Sequence, residues 1–159
     1  MYTFAIKPPP VAKLEDEIKT KFTNDKHRFI TNLIFTSNWF QNQVINFLKP
    51  FGISLQQFNV LRILRGAGDW VTMTGIKELM IDKTPNTTRL SDKLITKGYV
   101  ERQRSESDRR IVYLRISDSG LKLLESIDQA DNSVYLGFME RLTNEEAKAV
   151  NDVFDKIRG

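Results

Sequence analysis

Apolar positions recur with a helical period along most of the chain and change to a strand period once. Ile30, Leu33, Ile34, Phe40, Val44, Phe47 and Leu48 form one stripe of a long helix from about Asp25 to Leu48, which Phe35 and Trp39 widen and Pro50 and Gly52 end. This stripe is too broad for one buried face, so a second partner surface is expected. Upstream, Pro8, Pro9 and Pro10 make residues 1–11 an irregular arm, and Leu14, Ile18 and Phe22, four apart, predict a short helix. Ser54 is expected to cap a helix from Leu55 to about Arg65 with Leu55, Phe58, Leu61, Ile63 and Leu64 on its apolar side. A very short strand at Val71–Met73 follows, then a helix capped by Thr74 and running from Gly75 to Met80.

The next segment carries marks at both ends. Thr84 is placed to cap a helix, Pro85 suits its first position because its missing N–H costs nothing there, and Gly98 suits the positive φ just past its end. Beyond Gly98 the period becomes two. Val112, Leu114 and Ile116 alternate with Tyr113 and Arg115, and Tyr99 to Arg104 supplies the paired strand. The connection, Ser105 to Arg110, is polar throughout and has no glycine. Ser117 caps a further helix with Leu121, Leu124, Ile127, Ala130, Val134 and Phe138, and the capping box Thr143-x-x-Glu146 opens a last one with Ala147, Val150, Phe154 and Ile157. The expected class is mostly α with a small β-hairpin wing: helix, short turn and capped helix form a helix-turn-helix, and the hairpin follows it.

On a helical wheel Thr87, Leu90, Ser91, Leu94 and Ile95 share one side, while Asn86, Arg89, Lys93 and Lys97 take the other, with Thr88 and Asp92 at its edge. Amide, guanidinium, ammonium and hydroxyl groups on one face match base edges and phosphates, Arg to guanine, Asn to adenine and Lys to phosphate. A solvated helix face has the same composition; the basic hairpin beside it tips the balance toward double-stranded DNA. Candidate contacts are Thr84 (also the cap), Asn86, Thr88, Arg89 and Lys93 on the helix, and Arg104, Ser107, Asp108, Arg109 and Arg110 in the wing. Within the wing Asp108 is expected to orient an arginine, since a bare carboxylate is repelled by phosphate. Either Arg109 or Arg110 then enters the minor groove.

Charge distribution agrees with this placement. The chain has 159 residues and a net charge of +4, but residues 84–115 hold eight Lys/Arg against four Asp/Glu, whereas residues 116–159 hold five against nine. A local basic patch attracts phosphate through counterion release. A hydrophobic content of 40% at this length supports one integrated, packed domain. There is no cysteine, which excludes disulfides, thiolate metal sites and thiol-based redox sensing. No apolar run approaches a membrane span and the N-terminus lacks a secretory signal, so a cytoplasmic protein is expected. The one histidine, His27, lies between Lys26 and Arg28, and Glu15-Asp16-Glu17 and Glu145-Glu146 read as solvated charge. No cofactor, metal or enzymatic activity is expected, because no nucleophile, acid–base or phosphate-cradle constellation accompanies these groups; Gly66-Ala67-Gly68 lacks the spacing of one.

In order and content the parts resemble the MarR family of winged-helix transcription regulators, over about Phe29 to Ile157. The resemblance is carried by Leu55-Gln56-Gln57-Phe58-Asn59-Val60-Leu61, by Thr88-Arg89-Leu90-Ser91-Asp92-Lys93-Leu94 with Lys97-Gly98-Tyr99-Val100-Glu101-Arg102, by Asp108-Arg109-Arg110 in the wing, and by Ile116-Ser117-Asp118-Ser119-Gly120. Two features depart from the family pattern: Thr87 stands where an apolar residue is usual, and the wing opens Ser105-Glu106-Ser107 without proline. The resemblance implies an obligate homodimer formed by N- and C-terminal helices (1–48 with 138–159), which flank a DNA-binding lobe at 49–117, with residues 118–159 completing the C-terminal helices. It gives Leu14, Ile18, Phe22, Phe138, Val150, Phe154 and Ile157 a role in dimerisation. It also implies a repressor on a pseudo-palindromic operator, released by a small aromatic effector for which Phe35, Trp39, Phe40 and Phe51 are candidate lining; ordinary core or interface packing is the commoner role for such aromatics. The alternative is a winged-helix module that binds protein without specific DNA binding, a reading that Asp92 and Glu106 keep open.

Overall fold

The computed structural model describes residues 13–83, 86–130, 137 and 140–159. Among them the helices are α1 (Leu14–Glu17), α2 (Asp25–Leu48), α3 (Leu55–Ala67), α4 (Met73–Leu79), α5 (Thr87–Thr96), α6 (Asp118–Gln129) and α7 (Asn144–Arg158), with a 3-10 turn at Lys49–Phe51. Strands β1 (Val71–Thr72), β2 (Val100–Arg104) and β3 (Val112–Ile116) form one antiparallel sheet in the order β1-β3-β2. The chain divides into two compact units, one containing residues up to Gln43 and the C-terminal helix α7, the other starting at Val44 and including all that is described through Ala130. Helix α2 thus contributes residues to both.

Several helices start where hydroxyl chemistry predicts. Ser54 accepts from Gln57 N–H at 3.2 Å while Gln57 Oε1 accepts from Ser54 N–H, a reciprocal box that satisfies two free donors. Thr143 and Glu146 do the same for α7, and Ser117 Oγ accepts from Gly120 N–H at 3.1 Å for α6. Gly52, at φ 68°, ends the 3-10 turn in the left-handed region.

Four boundaries differ from the expectation. The first helix is one turn only, because Ile18 is already extended, at φ −122° and ψ 112°; four residues cannot propagate without a longer hydrogen-bonded run. The cap of α4 is Thr72, not Thr74: its hydroxyl accepts from Gly75 N–H at 3.0 Å, so the last residue of β1 doubles as the cap. The α5 helix begins at Thr87 with Asn86 in the cap position, two residues later than a Thr84 cap with Pro85 at the first position would give, and Thr84 and Pro85 lie outside the described residues. The α6 helix ends at Gln129, since Ala130 is extended; Val134 and Phe138, assigned to that helix from the periodicity, lie outside the described residues.

The second unit is built around α3. Its Phe58, Val60, Leu61 and Leu64 are buried, together with Ile76 of α4, Leu94 of α5, Val100, Leu114 and Ile116 of the sheet, and Leu124 and Ile127 of α6. Across the β2–β3 ladder Arg102 pairs with Leu114 and Arg104 with Val112, and both arginines of β2 are exposed.

In the first unit, Phe29 of α2 packs on Phe154 of α7 with ring centroids 6.3 Å apart. Glu15 is exposed, as its reading as solvated charge expects, and is held there by Arg28, whose Nε and Nη2 donate to its two oxygens at 2.5 and 3.2 Å. The hydrogen-bonded guanidinium pulls the Glu15 carboxyl down to about 2. A folded-state value below the ordinary one stabilises the contact above that ordinary range, and the contribution is lost as pH falls from about 4.5 towards 2. A carboxyl-carbon NMR titration is expected to place the Glu15 midpoint well below its neighbours, and Arg28→Met to return it to the ordinary range. A wild-type midpoint near 4.5 would show that the pair does not form in solution.

Candidate nucleic-acid interface

Helix α5 presents two chemically different sides. Thr87, Ser91 and Leu94 are buried, at 1%, 0% and 0% exposure, while Thr88, Arg89, Asp92 and Lys93 are exposed. The wheel therefore has the right orientation. The buried hydroxyls are satisfied: Ser91 Oγ donates to Thr87 O at 2.8 Å, and Thr87 Oγ1 donates to Met80 Sδ at 3.4 Å. A polar residue at position 87 is thus accommodated on the underside of the helix by the thioether of Met80, the residue that follows α4. Asn86 is exposed and its side chain makes no capping hydrogen bond, so its amide is not spent on the helix end.

One exposed cation of the wheel already has a partner. Lys97 Nζ donates to the carbonyl of Gly52, which ties the end of α5 to the turn after α2. Asp92 faces Arg102 of β2 with a nitrogen–oxygen distance of 3.6 Å, so the one acid on the exposed side of α5 is balanced from the sheet. Arg102 is not among the contact candidates, and its partner on α5 emerges only from the packing of β2 against that helix.

The wing is held by its own side chains. Ser105 N–H donates to Ile111 O at 3.0 Å and Ile111 N–H to Asp108 O at 2.9 Å, closing the hairpin. Ser105 Oγ lies 3.0 Å from Ser107 Oγ and accepts from Asp108 N–H at 3.3 Å, while Asp108 Oδ1 accepts from Arg110 N–H at 2.9 Å. Short polar side chains that bond the backbone two or three residues away build a turn without glycine. Asp108 thus holds an arginine, Arg110, through its backbone amide. Arg104, Ser107, Arg109 and Arg110 are exposed.

Between α4, α5 and the wing lies a depression of about 470 Å³ whose wall includes Lys77, Thr88, Asp92, Arg102 and Arg110. Arg110 thus lines the side of the wing nearest the helix, and Arg109 does not. Arg115 is used structurally, stacked 4.7 Å over the Trp70 ring and paired with Glu101 at 2.7 Å. The four aromatic candidates for an effector site divide between the two units: Phe35, Trp39 and Phe40 belong to the first, whereas Phe51 belongs to the second, 5.9 Å from Phe47.

A helix-turn-helix of α4 and α5 with an antiparallel wing defines a winged-helix fold. The MarR family profile matches residues 53–112. The chain is 32% identical over 98 residues to the HTH-type transcriptional regulator YwhA of Bacillus subtilis, covering 62% of this chain and 70% of that protein. It is 28% identical over 127 residues to the multiple antibiotic resistance protein MarR of Salmonella typhimurium, covering 79% and 88%. Among solved structures, a mutant of Escherichia coli MarR complexed with operator DNA superposes with a TM-score of 0.71 at 22% identity over 87% of this chain and 99% of that one. A MarR-like regulator from Bacillus cereus gives 0.72 at 19% identity, covering 84% and 96%. The chain belongs to the MarR family of transcription regulators.

Proposed function

We propose that the protein works as a cytoplasmic homodimer that binds a pseudo-palindromic operator as a repressor, with α5 in the major groove and the wing on the adjacent backbone and minor groove. It acts by binding and not by catalysis. The observation that carries this reading is the exposed Asn86, Thr88, Arg89 and Lys93 on a helix whose underside is buried, set beside a wing that exposes Arg104, Arg109 and Arg110. Arg89 and Asn86 are the base readers, Thr88 and Lys93 hold the edge of the groove, and Ser107 and the wing arginines take phosphate and minor groove. Arg109 is the arginine that enters the minor groove, because Arg110 faces the depression next to α5. Thr84 keeps its proposed phosphate contact and lies outside the described residues. The pairing of Asp92 with Arg102 removes one of the two acids that favoured a protein-binding module.

Apolar surface left open in the first unit supports dimerisation. Ile30 and Ile34 of α2 and Val150, Val153 and Ile157 of α7 are 44–58% exposed, more than a lone protomer leaves uncovered on two helices. Ile18 and Phe22 are half-buried and join this set, and Phe154 is shared with Phe29. Leu14 leaves the set, since at 5% exposure it is covered within its own chain and has no surface to offer. Phe138 lies outside the described residues. Release by a small aromatic effector at Phe35, Trp39 and Phe40 belongs to the same reading.

Hydroxyl-radical footprinting of the protein on its own upstream DNA tests the whole: a dimer protects two half-sites whose centres are one or more helical turns, about 10 base pairs each, apart. A single protected half-site would contradict it. For Arg109→Ala the expected result is weaker binding to every sequence and a salt slope shallower by about one unit. A loss confined to one base position, with the slope unchanged, would remove Arg109 from the backbone and minor-groove role.

A further inference from the structure

The seat of the reading helix on α4 is made in part by sulfur. Thr87 Oγ1 donates to Met80 Sδ at 3.4 Å, and one turn on, Ser91 Oγ lies 3.9 Å from Met73 Sδ while keeping its bond to Thr87 O. A thioether is a weak acceptor, so both contacts depend on close packing more than on hydrogen bonding. The two methionines differ in access. Met80 is 2% exposed, whereas Met73 is half-buried and forms part of the wall of the depression between α4, α5 and the wing. The chain has no cysteine to consume an oxidant first.

We propose that Met73 is an oxidation site that controls how α5 is seated, and so switches DNA affinity; the switch rests on the DNA-reading function proposed above. The oxidant is an oxygen-atom donor of the hypochlorous acid class. Its oxygen is transferred to the thioether sulfur: the Cl–O bond breaks, an S–O bond forms, the sulfur gives up two electrons, and chloride and a proton leave. The product is a polar sulfoxide in place of a flexible apolar side chain. Its oxygen is a far stronger acceptor than the thioether, and Ser91 Oγ, 3.9 Å from the sulfur, is a donor on α5 already beside it. Ser91 has one hydroxyl proton, so turning it to the sulfoxide takes it from the Thr87 carbonyl on the buried side of the helix. Added oxygen volume and this exchange both act on the face that Thr87, Ser91 and Leu94 bury, directly beneath Thr88 and Arg89.

The test treats the purified full-length chain with near-stoichiometric hypochlorous acid, maps sulfoxide by peptide mass spectrometry, and measures both operator affinity and melting temperature. Expected are sulfoxide at Met73 ahead of Met80, a loss of affinity of roughly tenfold or more, a lower melting temperature, and recovery of both after treatment with the two methionine sulfoxide reductases. Met73→Leu, a volume-conserving change, is expected to bind DNA like the wild type and to keep its affinity and melting temperature under the same dose. Met80→Leu should remain as sensitive as the wild type. Unmodified Met73, unchanged melting temperature on its oxidation, or a Met73→Leu protein as sensitive as the wild type would overturn the proposal. If the untreated protein fails to bind DNA specifically, the functional reading is what fails, and the melting temperatures of oxidised wild type and Met73→Leu still decide the seating.

Discussion

Gly120→Ala is expected to destabilise the winged-helix unit by about 3 kcal/mol, the largest single-residue effect on stability foreseen here. A Cβ at Gly120 would lie 2.3 Å from the carbonyl oxygen of Tyr99 and 2.8 Å from Ile116 Cγ1. Neither obstacle can step aside cheaply. The Tyr99 carbonyl already accepts from Ser117 N–H at 3.0 Å, and Ser117 Oγ donates to Gly98 O at 2.6 Å while capping α6 through Gly120 N–H. The start of α6 is thereby fastened to the point where α5 ends and β2 begins. Displacing it moves the element that sets the angle between reading helix and wing. Urea unfolding followed by circular dichroism measures the loss, with exposed Ser119→Ala as a control expected to stay within about 0.5 kcal/mol. A Gly120→Ala protein as stable as that control would show that the backbone contact relaxes freely.

Arg89→Ala is expected to cost about 1–3 kcal/mol in operator binding and to blur preference at one base position, because a bidentate guanidinium on a guanine edge carries discrimination as well as affinity. Stability should hold, since Arg89 is exposed on the outer side of α5 and no ion pair or hydrogen bond ties it to the rest of the described residues. Lys93→Ala provides the contrast, a loss spread over all sequences with a shallower salt slope. Binding by selection from a randomised half-site reads both. Unchanged affinity and unchanged base preference in Arg89→Ala would remove it from the groove.

Much of this architecture could be read before the coordinates. The bounds of α2 and the hydroxyl caps at Ser54, Ser117 and Thr143 were legible because each depends on groups within four residues of one another. The buried side of α5 was legible for the same reason, since its spacing is local. The pairs that tune the interface were not. Asp92 with Arg102, Lys97 with Gly52, and Arg115 with Trp70 and Glu101 join residues brought together only by strand register and helix packing. The cap of α4 was misplaced by two residues because Thr72 and Thr74 are chemically equivalent, and β1 pairing with β3 decides between them. Charge alone points Asp108 to an arginine; that it holds Arg110, through the backbone amide two residues on, is set by the turn geometry.

The most direct test of the account is a salt-titrated equilibrium measurement of the purified protein on its own upstream region against scrambled DNA of the same length. The account predicts tighter binding to the upstream region, an affinity that falls steeply as salt rises, and a stoichiometry of two chains per operator. Equal, weak binding to both sequences, with little dependence on salt, would contradict it and turn attention to a protein partner for the same helix face.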